Sequence, residues 1–439
     1  MERQEAEKLN FKKAWVITVD MGYGHQRTAY PLEYLTPDQK ITIANNYIGI
    51  PKNDRKIWGN SRRFYEFISR FKRIPIIGNA AFSLYDQFQQ IPAFYPHRDL
   101  SKPTLSLQKI YSIIKKGWGK DLIEKLKQKP LPIVSTFFVP AFMAEVFDYP
   151  NEIFCVVCDA DISRTWAPLN PQNSRIRYLA PNSWVAGRLK LYGVKKENIF
   201  LTGFPLPREN IGSEGLEILK EDIARRILNL NPNGKFRLLY EPLIEKYIGK
   251  LPQNSDHPLT IMFAIGGAGA LKEIPIKFIK SLKKKIKNRE VNIILGAGIR
   301  ETVKDYFFQN LKKLGLENNI NKNIKIIFTD RIEEYFKEFN QILRKTDILW
   351  TKPSELSFYA ALGVPIIIAP SIGSQEDFNR RWLLSLGAGI LSEDPKYADQ
   401  WIFDYIKSGR FAEAAIRGLI EVEKLGTYKI EKIVSQFSK

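Results

Sequence analysis

Short, wholly apolar runs alternate with helix-period amphipathic stretches along most of the 439 residues. In the first half the apolar runs are 14–20, 133–137, 153–158, 177–180 and 198–202. Between them lie predicted helices over 26–34, 140–146 and 182–192, and one or two more within 102–129. The second half restarts the pattern. Its apolar runs are 259–264, 291–295, 324–328, 347–351 and 364–369, and its helices span 274–287, 301–314, 332–344 and 354–362, with one more starting at Gln375. A strand that is apolar on both faces, rather than alternating, is one covered by helices on both sides of a parallel sheet. The alternation predicts an α/β chain: two Rossmann-like, doubly wound parallel-sheet domains facing across a cleft.

Punctuation sharpens this division. Met21-Gly-Tyr-Gly-His25 follows the first strand, and Gly266-Gly-Ala-Gly269 follows the strand that opens the second half. Glycines there let the chain turn sharply and let a ligand approach the backbone. The first turn, Gly22 and Gly24, lacks the third glycine of a dinucleotide fingerprint. Gly203-Phe-Pro-Leu-Pro207 reads as a junction. The expected layout is therefore an N-terminal domain over 1–207 and a second domain over 208–396, with 208–256 as linker or insertion. Helices over 397–439 are expected to return to the first domain.

Polar residues gather at two points near the end of the second half. Strand 347–351 runs into Lys352-Pro-Ser-Glu355, and strand 364–369 runs through 370–374 into Gln375-Glu-Asp-Phe-Asn379. Both points fall where strands hand over to helices, the edge at which open α/β sheets bind ligands. Helix N-termini there present N–H groups and partial positive charge to an anion. A sugar nucleotide fits this pattern. Lys352, Ser354 and the turn Gly266, Gly267 and Gly269 suit its diphosphate. Glu355 or Glu376 suits a ribose diol, and Gln375, Glu376 and Asn379 suit hexose hydroxyls. Ser374 with Asp377 has capping-box spacing, so part of the cluster also serves the helix itself. On the other half, His25 ends the first glycine turn and titrates in the range a general base needs. Asp159 follows a core strand at the same edge and could orient His25 or act as base. Asp159-Ala-Asp161 also spells a D-x-D triplet, but it lies away from the Gln375 cluster, so no metal is expected.

The order of these motifs resembles that of the GT-B glycosyltransferases, in particular monogalactosyldiacylglycerol synthases and bacterial diacylglycerol glucosyltransferases. It is more distantly similar to that of the lipid II N-acetylglucosaminyltransferase. Gly22, Tyr23, Gly24 and His25 resemble the family's Gly-Gly-Gly-His turn, with tyrosine at one glycine position. Cys158-Asp159 and Thr165-Trp166 resemble a Thr-Asp and a Thr-Trp pair, and Gly296-Ala-Gly298 a Cys-Gly-Arg turn. Gly373-Ser-Gln-Glu-Asp-Phe-Asn379 matches Gly-Gln-Glu-x-x-Asn and is the most specific piece. Lys352-Pro-Ser-Glu departs from the family's Lys-x-Gly-Gly-x-Thr. The resemblance implies a metal-independent, inverting hexosyltransferase. It would use a UDP-sugar as co-substrate, with no further cofactor. His25 and Asp159 would work on an acceptor lying beside Gly22, Tyr23 and Gly24, and the acceptor would be a membrane lipid, as in glycolipid biosynthesis.

Charge agrees with an anionic partner. Lys and Arg outnumber Asp and Glu by 67 to 47, a net charge of +20. Nothing in the chain resembles a zinc-finger or aromatic RNA-binding signature, so nucleic acid is not expected. The aromatic, basic stretch Arg62 to Arg73 suits a membrane interface. Met1 to Lys13 is charged and unlike a signal peptide, and no apolar run reaches the ~20 residues of a membrane span. A cytoplasmic protein, at most peripheral on the inner membrane face, is expected. Cys155 and Cys158 are read as buried structural residues on opposite faces of a strand. Two other functions keep the same fold: a UDP-sugar 2-epimerase, and a GT-B-like protein that binds without catalysis.

Overall fold

The computed structural model describes residues 12–60, 91–266, 269, 271–371 and 374–437, without the side chains of 239, 243 and 374. The aromatic, basic stretch 62–73 lies outside them. The chain divides into two compact units.

The first unit carries one six-stranded sheet: β1 (Trp15–Thr18), β2 (Thr42–Ile43), β3 (Ile133–Ser135), β4 (Ile153–Val156), β5 (Arg177–Ala180) and β6 (Ile199–Leu201). Every neighbouring pair is parallel, in the order β2-β1-β3-β4-β5-β6. The two-residue β2 was not legible as an apolar run, because it is half-buried at the sheet edge. Val16, Val134, Phe154 and Leu179 fill one face of the sheet, under Ala29 and Leu32. Ile430 and Val434 of the final helix (Gly426–Phe437) complete this core.

The second unit carries β7 (Leu259–Ala264), β8 (Val291–Gly298), β9 (Ile324–Phe328), β10 (Ile348–Thr351), β11 (Ile366–Ile368) and β12 (Gly389–Leu391). Their order is β12-β11-β10-β7-β8-β9, again all parallel. The expected α/β class with two doubly wound parallel sheets is what the chain forms.

Two boundaries differ from the expected layout. The final return to the first unit comes at Leu425, not at 397, and Gln375 also groups with the first unit. Helices Ala398–Lys407 and Arg410–Glu421 stay with the second unit. Gly418 is the reason in part: a Cβ there would lie 2.3 Å from the carbonyl oxygen of Ala360, so only a glycine lets this helix lie so close to 355–362. Similarly, the final helix begins at a glycine whose Cβ would lie 2.1 Å from the Phe204 carbonyl oxygen.

The segment 208–256 is an integral part of the second unit. Arg226, on helix Glu217–Leu230, is 2% exposed. It donates from Nε to Thr346 O at 2.7 Å, from Nη1 to Leu362 O at 2.8 Å and from Nη2 to Leu343 O at 3.3 Å. These are carbonyls at helix ends, where a cation is favoured. Asp222 on the same helix accepts a two-pronged bond from Arg344 at 2.9 and 3.0 Å. Arg226→Leu orphans all three buried carbonyls. Each buried carbonyl left without a donor costs about 1–3 kcal/mol, so urea unfolding should show the variant clearly less stable than the parent. A variant as stable as the parent would contradict this role.

His257, just before β7, is held at the opposite edge of this sheet from the glycine turn. Its Nδ1 lies 2.6 Å from Asp256 Oδ1 and its Nε2 3.3 Å from Asp347 Oδ1. Only the imidazolium can donate to both carboxylates. Burial pulls the imidazole down, but Asp347 and then Asp256 outweigh it, and it ends above its ordinary value. A raised folded-state value means the stabilisation is fully present below pH ~6.5 and fades as pH climbs through the raised value. The melting-temperature gap between the parent and His257→Gln should therefore shrink from pH 6 to pH 9. A constant or widening gap would refute the clamp.

No helix among the described residues is long and apolar enough to cross a membrane.

Candidate functional site

In the first sheet, strand order reverses between β1 and β3, and in the second between β7 and β10. Beyond the carboxyl ends of such strand pairs lies the crevice where ligands bind in open α/β sheets. Each of the two residue clusters occupies one of these switch points.

His25 follows β1. Gly22 takes φ 108°, a value that L side chains avoid, and helix Tyr23–Ala29 starts directly after it. The helix therefore begins before the expected Gln26, and Gly24 and His25 lie on it rather than in the turn. His25 Nδ1 is 2.9 Å from the carbonyl oxygen of Thr136, which follows β3. A carbonyl only accepts, so Nδ1 carries the proton and the lone pair falls to Nε2. Thr136 also donates its hydroxyl to the His25 carbonyl at 3.0 Å. One residue thus grips both the backbone and the ring of His25. Phe137 and Trp166 stand beside the imidazole, with ring centroids 4.8 and 6.3 Å away.

Four residues around His25 were not singled out for it in the sequence. Thr136 acts through its backbone carbonyl, which leaves no sequence signature. Asp20 Oδ1 accepts from Gln26 Nε2 at 3.2 Å, and Asn45 bridges both backbone polar groups of Asp20 at 2.8 and 3.1 Å. Cys158 Sγ lies 3.3 Å from His25 Nδ1. The structural reading of Cys158 assumed a strand through 158, but β4 ends at Val156, and strand alternation no longer governs that position. Cys155, on β4, is fully buried, and burial pushes its thiol well up.

Asp159 is half-buried at the same edge. The carbonyl of Thr136 accepts from His25 Nδ1. Asp161 of the D-x-D triplet is 1% exposed and saturated. Arg188 donates to it from Nε at 2.9 Å and Nη2 at 2.7 Å, Trp184 Nε1 at 2.8 Å and Ile162 N at 2.8 Å. That carboxylate is a structural anchor for helix Ser183–Leu191.

In the second unit, Lys352 leaves β10 and crosses the turn that follows β7. A Cβ on Gly266 would lie 2.5 Å from Lys352 Cε, so the glycine is what makes room for the lysine stem. Gly269 closes that turn in the left-handed region, φ 70°, with its N–H on Gly266 O at 2.8 Å. Gly267 lies outside the described residues. Arg300, at the start of helix Glu301–Lys313, reaches the same turn: its Cδ lies 3.5 Å from where a Gly269 Cβ would be. Arg300 was missed because the pattern drew a turn at 296–300. β8 instead continues to Gly298 and delivers Arg300 beside β7.

The Lys352 ammonium pairs with Glu376 of helix Ser374–Leu386, with side chains 20% and 12% exposed. Gln375, Glu376 and Asp377 are half-buried in the first turn of that helix. Ser371 Oγ donates to Asp377, and the side chain of Ser374, drawn as the cap, lies outside the described residues. Asn379 differs from its expected sugar-facing place. It is 1% exposed and donates from Nδ2 to Pro353 O at 3.3 Å. It fastens the 352–354 loop to the helix. Ser354 precedes the 3₁₀ helix Glu355–Leu362 without capping it by its side chain, and Glu355 is 7% exposed. Gly363, φ 61°, ends that helix as the pattern predicted.

A family described as a domain of unknown function, DUF6938, matches residues 251–322 and 314–435. No curated protein matches the chain. Among solved structures, MurG from Acinetobacter baumannii is 13% identical, with a TM-score of 0.45 over 97% of this chain and 99% of that one. The UDP-GlcNAc 2-epimerase from Neisseria meningitidis bound to UDP-GlcNAc is 13% identical, with a TM-score of 0.43 over 82% and 87%. The S. aureus MnaA–UDP structure is 12% identical, with a TM-score of 0.41 over 82% and 85%.

Proposed function

We propose that this protein is a hexosyltransferase of the GT-B kind that uses a UDP-sugar donor and an acceptor hydroxyl on a membrane lipid. The observation that carries the reading is Lys352, laid across Gly266 at the β7/β10 switch point and paired with Glu376. The ammonium sits where strand order reverses, among half-buried polar groups whose geometry a helix cap alone does not require. A diphosphate competes with Glu376 for Lys352 and releases that carboxylate to a hexose hydroxyl. Gln375 serves the same ring, Glu355 the ribose, and Ser354, Gly266, Gly269 and Arg300 the phosphate oxygens. Asn379 positions the loop.

In the first unit, Gly22, Tyr23 and Gly24 shape the acceptor side. His25 Nε2 takes the proton of the acceptor hydroxyl as its oxygen attacks the anomeric carbon. The carbon–oxygen bond to the diphosphate breaks, and UDP departs with that electron pair onto Lys352 and the N–H groups of the turn. Asp159 steadies the imidazolium. The net charge of +20 supports an anionic lipid surface as the place of work.

The test is incubation with a panel of UDP-sugars and membrane lipid extract, followed by mass spectrometry. A hexose mass added to a lipid is expected. UDP-sugar converted with no acceptor present would give the 2-epimerase instead, and no conversion under any condition would sink the transferase reading.

A further inference from the structure

A second basin lies in the first unit, away from His25. It has a volume of about 770 Å³, and its lining mixes apolar residues such as Leu169, Pro171 and Leu191 with His97 and the charged Arg98, Lys102 and Lys190. Its walls are segments that run into strand starts: 169–172 leads toward β5, and Gly193 leads from helix Ser183–Leu191 toward β6. It therefore opens at the amino edge of the sheet, whereas His25 follows the carboxyl end of β1.

The walls are fastened. Leu100 N donates to Leu191 O at 2.9 Å, and Gln172 Nε2 to Gly193 O at 2.8 Å. Arg164, 4% exposed, grips the Ser101 carbonyl from Nε at 3.0 Å and Nη2 at 2.6 Å. Gly193 has φ 86°, and a Cβ there would lie 3.0 Å from Ser101 Cβ and 3.1 Å from Pro171 Cγ. This junction closes only around a glycine.

The charge inside is one-sided. Arg98, Lys102 and Lys190 face Asp99, whose Oδ1 is already engaged by Ser101 N at 2.8 Å. Among the described residues, neither Lys102 nor Lys190 forms an ion pair or side-chain hydrogen bond. Lys190 lies in the last turn of its helix, where a cation suits the dipole. That accounts for Lys190 but not for Arg98 and Lys102 beside it. Converging like charges in a concave site repel one another and raise the local concentration of anions.

We propose that this basin binds a multiply charged phosphate, bare or carried on a small organic molecule, as an anion site separate from the one at Lys352. Arg98 spends Nη1 on Ala93 O at 3.2 Å and Pro96 O at 3.1 Å, so it offers Nε and Nη2 to phosphate oxygens, and the two lysines supply point charges. Calorimetric titration with pyrophosphate and, separately, with UDP tests it. The proteins are the parent, Lys102→Gln/Lys190→Gln and Lys352→Ala. Both lysines are exposed, so the double variant should melt like the parent. Lys352→Ala should keep saturable pyrophosphate binding, and adding the double substitution should weaken that binding at least about tenfold. UDP binding to the double variant at the Lys352 site should be unchanged. Tighter UDP than pyrophosphate binding in Lys352→Ala would indicate an organic phosphate, and equal binding a bare one. Pyrophosphate binding that is absent in Lys352→Ala, or that survives the double substitution, would overturn the proposal. A failure of UDP to bind at Lys352 would leave this result standing.

Discussion

His25→Ala should leave UDP-sugar binding within about twofold of the parent while turnover falls by about 10²–10⁴, the range that a positioned general base contributes. The reasoning starts from one contact. Thr136 O holds Nδ1 at 2.9 Å and fixes the proton there, so Nε2 is the atom able to take a proton. Phe137 and Trp166 pack beside the ring and resist its rotation. His25→Asn should behave like alanine, since an amide can mimic a hydrogen bond but cannot accept the proton. Donor affinity and turnover falling together, by similar factors, would remove His25 from the base role.

Lys352→Ala should weaken UDP-sugar binding by about 100-fold, which corresponds to about 2.7 kcal/mol. Two terms add. A hydrogen bond to a charged group contributes about 1.5–3 kcal/mol. In addition, Glu376, only 12% exposed, loses its counterion and confronts the incoming diphosphate with a bare carboxylate. Lys352→Ala/Glu376→Gln should therefore recover part of the loss. Lys352→Arg should not substitute fully, because the gap over Gly266 was shaped for a slim methylene stem. Titration calorimetry reads all four proteins. Unchanged affinity in Lys352→Ala would move the donor site elsewhere.

The fold was legible because parallel strands covered on both faces read as unbroken apolar runs. Strands 177–180, 259–264 and 324–328 fall where the pattern drew them. The short edge strands β2 and β12 did not show, since they are only two and three residues long. The site was half legible. Residue types marked Lys352, Gln375, Glu376 and His25, but strand order decides which loops meet, and order is not written locally. Lys352-Pro-Ser-Glu looked weak for want of a glycine pair. The needed glycine is Gly266, far away in sequence, in the turn after β7, a strand that topology makes the neighbour of β10. Asn379 looked like a ligand residue because its burial against Pro353 depends on that same topology. Thr136 was invisible because a carbonyl carries no residue signature.

The central claim is a UDP-sugar held at the β7/β10 switch point by Lys352. Titrating the parent and Lys352→Ala with UDP-glucose, UDP-galactose and UDP-N-acetylglucosamine tests it most directly. The account predicts saturable 1:1 binding of at least one of them to the parent, and its near loss in the variant. No binding of any UDP-sugar to the parent, or equal binding to both proteins, would contradict it.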